Sequence, residues 1–400
     1  MKPFSASKPE QRLLIATIAA TGPLLANKDC YTDHKVALMN AIKEIRDWKN
    51  ASAYLIKKGI APVLWYFLSN DAEVKVIIPE RDRMLYKQTY LKTLTRSMLL
   101  YNAFTEVTSE LNRRNLKVVA LKGIYLAEAL YPKLGIRQFS DIDLLIREDD
   151  VSEVVESIKG LGYLQTASLY SRQVSEKLEH AHLPAMIKNG VSIELHIKLH
   201  AALYEYKLDT EEFMNRAIKT LISGSEVGVL DCIDMLIHLC VHLDKHFNGS
   251  ELQFYSWLDI VVLQWKNDIN WEELLARCVK YGAKKNVIKQ LVLINHIFKT
   301  PMLPFNYENS IISRQTLRQL QLHLNDNAPN ITSIHAHRTY IKSIPGIKSK
   351  LVFIGEILIP SKKLMLAEYN IHNPRLYWLW YPYRWWKFVT SAVRSITFKA

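Results

Sequence analysis

The chain has 400 residues, 49% of them hydrophobic and 23% charged, which is enough apolar material for a sizeable core and excludes a chain disordered by composition. Lys plus Arg number 52 against 39 for Asp plus Glu, a formal charge of +13, which suits polyanions in general: nucleotides, nucleic acid or an anionic membrane surface. No apolar run reaches about 18 residues, so no membrane span is expected. Cys30, Cys232, Cys240 and Cys278 show neither a C-x-x-C pair nor the spacing of a disulfide framework, which fits a reducing cytosol.

Residues 1–115 read as a helical region. Leu13 to Ala26 is a moderately apolar run after Lys8 and Arg12, interrupted by Gly22-Pro23. It reads as a short amphipathic helix rather than a signal peptide. Helical patterns follow at about 34–48, 50–58, 60–69 and 83–114. In the last, Leu91, Leu94, Met98, Phe104, Val107 and Leu111 recur at three- and four-residue steps, which predicts a core-packing stripe. Asn115 is expected to end that helix.

Leu116 to Leu121 reads as a buried strand. Lys122-Gly123 follows, then a helical stretch from Ile124 to Leu130 that Pro132 stops. Gly123 therefore falls where a strand turns into a helix. Glycine permits close backbone approach, and the free N–H groups of a helix start favour a phosphate. Asp141-Ile142-Asp143-Leu144-Leu145-Ile146 reads as a second strand, with Asp141 and Asp143 on one face and Ile142, Leu144 and Ile146 on the other. Two carboxylates on one strand face repel each other. Either they hold a divalent cation, commonly Mg²⁺ with substrate phosphates, or they form a solvated strand edge.

Asp149-Asp150 and Val151 to Ile158 read as a capped helix ending near Gly160. A strand segment is expected from Gly162-Tyr163, and Tyr170 to His182 as a helix or loop over the sheet. Asn189-Gly190 is a hairpin signal that would pair 185–188 with 191–199. Val191 to His200 alternates throughout, with Ser192, Glu194, His196, Lys198 and His200 on the polar face. Beside the Asp-x-Asp strand, Glu194 would complete a three-carboxylate metal site.

LKG, a helix, R-x-x-S-D-I-D-L-L-I and I-E-L-H together resemble the nucleotidyltransferase superfamily of DNA polymerase beta. More closely, they resemble the bacterial "nucleotidyltransferase family protein" group, in which a transferase core is set between helical segments. The resemblance implies an α+β fold with a small mixed sheet. It implies a cytoplasmic transferase moving a nucleoside monophosphate from an NTP to an acceptor, with pyrophosphate released. By that resemblance Asp141 and Asp143 hold two Mg²⁺ ions, or Mn²⁺ in their place, and Glu194 binds the ion nearer the acceptor hydroxyl. Gly123 and the helix start hold the triphosphate, with Lys122, Arg137 and Ser140 as further phosphate contacts. Arg137 has a planar fork suited to two oxygens; its other reading is an ordinary loop cation. The superfamily commonly has Gly-Gly or Gly-Ser at the turn, and here Ile124 follows Gly123. The acceptor class stays open among small molecule, glycan, protein and RNA. A toxin–antitoxin-type enzyme acting on tRNA or protein and a non-catalytic nucleotide-binding scaffold at the membrane are the alternatives. Either aspartate is expected to be removable without loss of the fold.

The expected organisation is a helical region at 1–115, the transferase core at 116–205, a helical domain at 206–325, and a linker with an aromatic, basic segment at 326–400. Helical patterning returns from about 207 to 320. His238, His242 and His246 fall at i, i+4 and i+8 on one helix face. They read as a zinc site or as a polar face turned to a substrate cleft or to solvent, and Asp259 is a candidate partner for one of them. Trp48 precedes Lys57-Lys58-Gly59 at the interval by which Trp271 precedes Lys280-Tyr281-Gly282, an internal echo or a coincidence. Pro329, Pro345 and Gly346 mark a connection. Leu376 to Phe388, LYWLWYPYRWWKF, interleaves Trp and Tyr with Arg and Lys. This pattern suits packing on the helical domain, a membrane–water interface or stacking on bases.

Overall fold

The computed structural model describes residues 4, 6–166, 183–200, 206–248, 252–301, 303–304, 312–326, 347–369, 371, 373–387 and 389–390. Five helices open the chain: α1 (Pro9–Leu25), α2 (Tyr31–Lys43), α3 (Trp48–Lys57), α4 (Ala61–Asn70) and α5 (Ala72–Ile77). α1 is the helix expected over the apolar run, and it is a core element. Leu13, Leu14 and Ile18 are fully buried, and Pro23 lies inside its last turn.

The 34-residue helix α6 (Glu80–Arg113) crosses from this bundle to the sheet. Its C-terminal half buries Phe104, Val107 and Leu111, and Asn115 takes a left-handed φ of 57° just after it. The expected stripe fails in the N-terminal half: Leu91 and Met98 are exposed, while Thr93, Ser97 and Tyr86 face inward. Small polar side chains fit there because the loop before the Asp-x-Asp strand lies close. The Ser97 hydroxyl donates to the Leu134 carbonyl, and the Gly135 backbone packs on the Tyr90 ring.

The sheet begins with β1 (Val119–Ala120), shorter than the expected strand, and passes through α7 (Lys122–Ala129) to β2 (Asp141–Leu145). α8 (Val151–Gly160), β3 (Leu164–Gln165), β4 (Met186–Lys188) and β5 (Val191–His196) follow. Asn189 and Gly190 take positive φ of 50° and 75°, the backbone of a two-residue hairpin, and β4 pairs antiparallel with β5. The helix or loop expected over 170–182 lies outside the described residues.

After α9 (Thr210–Arg216) the chain departs from the expected helical pattern. β6 (Ile218–Ile222) and β7 (Ser225–Val229) form a second hairpin, turned at Ser223-Gly224 with φ of 49° and 79°. β7 joins the sheet parallel to β1. β6 is an edge strand that exposes Ile218 and Leu221, so it lacks the apolar–polar alternation that marks a half-buried strand. The seven strands run β3-β4-β5-β2-β1-β7-β6. The β5–β2 and β1–β7 pairs are parallel and the other four antiparallel, and the fold is α+β with a mixed sheet.

One sheet face, with Ile142, Leu144, Ile193 and Leu195, packs on α6 and α8. Leu145, which shares a face with Asp141 and Asp143, belongs to the other cluster, together with the helical bundle. The carboxylate face is thus turned toward α10 (Cys232–Phe247), α11 (Phe254–Lys266), α12 (Trp271–Lys280), α13 (Lys284–Phe298) and α14 (Arg314–Leu324). α3 and α12 are built alike. Each has ten residues and a side-chain N-cap, Asp47 or Asn270, and each is followed by a glycine at positive φ, Gly59 or Gly282. The expected connection at 327–346 lies outside the described residues. Beyond it come α15 (Ile347–Leu358) and α16 (Lys362–Tyr369), and α16 meets a 3-10 turn (Tyr377–Trp380) where Tyr369 stacks on Trp380.

Candidate active site

Strand register assembles the acidic group. β2 and β5 run parallel, with Asp141 opposite Ser192, Asp143 opposite Glu194 and Leu145 opposite His196. Alternation then puts Asp141, Asp143, Glu194 and His196 on one face. His196 Nε2 lies 2.7 Å from Asp143 Oδ1 and 3.8 Å from Glu194 Oε2. Lys122 Nζ lies 3.3 Å from Asp143 Oδ2. Among the described residues, Asp143, Glu194 and His196 form the one group of three whose ligand atoms all come within 4.8 Å of one another. Asp141 sits beside that group at the end of the strand.

The two aspartates differ electrostatically. Burial, then the charges of Asp143 and Glu194, push the Asp141 carboxyl up to about 6. Burial also acts against ionisation of Asp143, but Lys122 and His196 outweigh it and hold that carboxyl below the usual range. The residues therefore fit a hard divalent cation. Asp141 is a carboxylate whose ionised form nearby positive charge would relieve, beside two carboxylates and an imidazole that converge.

The turn above the acidic group is tight. α7 starts at Lys122, whose φ of 38° is uncommon for a side chain other than glycine. Gly123 itself is demanded by space. A Cβ there would come 2.9 Å from Phe139 Cβ and 3.0 Å from an Arg137 guanidinium nitrogen. The first turn of a helix leaves backbone N–H groups without intrahelical partners, which is the usual setting for an anion.

Arg137 lines the same cavity but is committed. It is 4% exposed, its Nε and one terminal nitrogen donate to Asp259 at 2.7–3.2 Å, and the other donates to the Gln138 carbonyl at 3.1 Å. Tyr131 donates to the same carboxylate at 2.8 Å. Asp259 thus partners Arg137 rather than a histidine. Ser140 lies at the rim, with its carbonyl accepting from Arg96 at 2.7 Å.

Asp231 caps α10 by accepting from the Asp234 N–H at 2.7 Å, and the helix turns His238, His242 and His246 into the cavity. His242 and His246 approach to 3.1 Å between their Nε2 atoms. The three histidines do not close on one point as the acidic group does, so the zinc arrangement does not form. Burial lowers His238 to about 3, and burial with Lys122 lowers His242 well below its ordinary value. Lys245 and the rings of Phe139, Tyr206 and Tyr255 complete a cavity of about 340 Å³, within the range of small-molecule sites. His196 was legible from the alternation of β5, which already set it on the face of Glu194. Lys245, Tyr206 and Tyr255 carried no sequence signal, since only the folded bundle brings them there.

The family described as uncharacterised nucleotidyltransferase matches residues 44–299, more than half of the chain, including the whole sheet, the acidic group and the histidine helix. The chain belongs to that nucleotidyltransferase family. No curated protein matches it.

Proposed function

We propose that the protein transfers a nucleoside monophosphate from an NTP to an acceptor hydroxyl. The acceptor O–Pα bond forms, the bond from Pα to the bridging oxygen breaks, and pyrophosphate and the hydroxyl proton leave. The observation that carries this reading is the β2–β5 register, which sets Asp143 across from Glu194 with Asp141 two residues before it. Asp141, Asp143 and Glu194 would hold two Mg²⁺ ions, which supply charge stabilisation to the entering and leaving oxygens of such a displacement.

The chain's own groups take the remaining tasks. The N–H groups at Gly123 and the first turn of α7 bind the triphosphate. Lys122 adds positive charge when its link to Asp143 is exchanged for a phosphate. The Arg137–Asp259 pair fixes the loop that leads into β2, and Arg137 acts through position rather than as a free phosphate fork. Glu194, the least enclosed member of the acidic group, is placed to draw the acceptor proton. The test is pyrophosphate release from each of the four NTPs with Mg²⁺ and cell extract as acceptor source. Wild type should release it with one or more NTPs and Asp141→Asn should not; equal release by both would sink the assignment.

The C-terminal segment reads as a peripheral anchor to an anionic membrane surface. Trp378, Leu379, Trp386 and Val389 are more than half exposed, with Arg375, Arg384 and Lys387 interleaved. Aromatic and basic side chains in that mixture favour a headgroup interface.

A further inference from the structure

The nucleotide accounts for the sheet side of the cavity and leaves the wall built by α10 without a task. His238 is 2% exposed and lines the cavity, yet neither ring nitrogen has a hydrogen-bond partner in the protein. Buried polar groups left unpaired are costly and rare in folded proteins, so a side chain held this way points to a ligand. His242 stands next to it, with ring centroids 6.1 Å apart.

We propose that this wall is the acceptor subsite, and that the acceptor is a neutral polyhydroxylated compound of the sugar or sugar-alcohol class bound through His238. The proposal rests on the transferase reading, which requires a second ligand in the same cavity as the NTP. The chemistry of the imidazole selects the class. His238 and His242 are kept unprotonated by burial first and by Lys122 next. A neutral imidazole presents one donor and one acceptor. A phosphate monoester dianion or a carboxylate only accepts, and leaves the acceptor nitrogen unpaired. An alcohol both donates and accepts, and adjacent hydroxyls satisfy both nitrogens. Phe139, Tyr206 and Tyr255 add rings to the lining, and their apolar faces suit the C–H surface of a sugar ring.

Binding can be read without turnover. Full-length protein labelled with ¹⁵N-histidine is titrated at pH 7.5 with glucose, ribitol, methyl phosphate and acetate in separate arms. The imidazole ¹⁵N signals are followed by NMR, and those of His238 are assigned with His238→Gln. A saturable shift of the His238 signals with glucose or ribitol, and none with methyl phosphate or acetate, is the expected result. A shift with an anion alone, or with no probe, overturns the proposal. The same titration on Asp141→Asn separates the two readings. Polyol binding that persists while pyrophosphate release fails in every protein sinks the transferase reading and leaves the subsite. Release that proceeds without any polyol shift does the reverse. If His238→Gln does not fold, His238→Asn provides the assignment by difference, and the wild-type arms still decide.

Discussion

Asp141 and Asp143 are two residues apart, yet the fold treats them in opposite ways. The Asp141 carboxyl stands at about 6 against an ordinary 3.8, so ionising it costs the folded state above pH 6 and costs nothing below the ordinary value. Removing that charge stabilises the metal-free protein by about 1–3 kcal/mol near neutrality. We expect Asp141→Asn to melt higher than wild type in EDTA at pH 7.5, with a gain that shrinks toward pH 5. A lower melting point at pH 7.5 would contradict this. Asp143 is depressed instead, so its stabilising contribution is present above the ordinary carboxylate range and fades as pH falls through its folded value. Asp143→Ala strands Lys122 and His196 without their countercharge. It should lose stability as well as activity, contrary to the expectation that either aspartate is dispensable to the fold. Circular-dichroism melts of the two variants would separate them.

At the scale of elements, the loop between α7 and β2 is held by one buried ion pair. Arg137 and Asp259 bring β2 and α11 together, and a buried charge left alone is strongly destabilising. Asp259→Asn is expected to cost about 3–5 kcal/mol in urea unfolding, with less than about 1 kcal/mol pointing to an incidental pair. Gly123→Ala tests the turn. Its Cβ has no room against Phe139, so a loss of about 1–3 kcal/mol is expected from overpacking, with weaker NTP binding as α7 shifts. Much of this was legible in the chain. The alternation of 191–196 and the Asn189-Gly190 turn fixed β4 and β5, because period and turn chemistry are local. The second hairpin was not legible, because the edge strand β6 shows its apolar side chains to solvent. The inward Thr93 and Ser97 of α6 escaped for a related reason, since only the loop folded against them makes small polar residues suit that face.

For the molecule as a whole, an acidic sheet face meets a histidine-bearing bundle across one cavity. Neither half encloses the cavity alone: residues from Lys122 to Tyr206 line one side and residues from His238 to Asp259 the other. Arg137 shows what sequence can and cannot say at this scale. Its residue type suited a phosphate, but its partner comes from a helix more than 120 positions away. The C-terminal segment carries the remaining whole-molecule prediction. Wild type should sediment with anionic vesicles more than with neutral ones, less so at high salt. Trp378→Ala with Trp386→Ala should reduce binding at least tenfold without changing pyrophosphate release. Equal sedimentation of this double variant would remove the anchor.

The position of the label in a radioactive NTP tests the central claim most directly. Purified wild type is incubated with Mg²⁺, cell extract, and NTP labelled with ³²P at either the α- or the γ-phosphate. The account expects a labelled product from the α-label only, lost in Asp141→Asn. Transfer of the γ-label instead would mean a phosphoryl transferase, and would contradict the reading of Asp141, Asp143 and Glu194 as a nucleotidyl-transfer site.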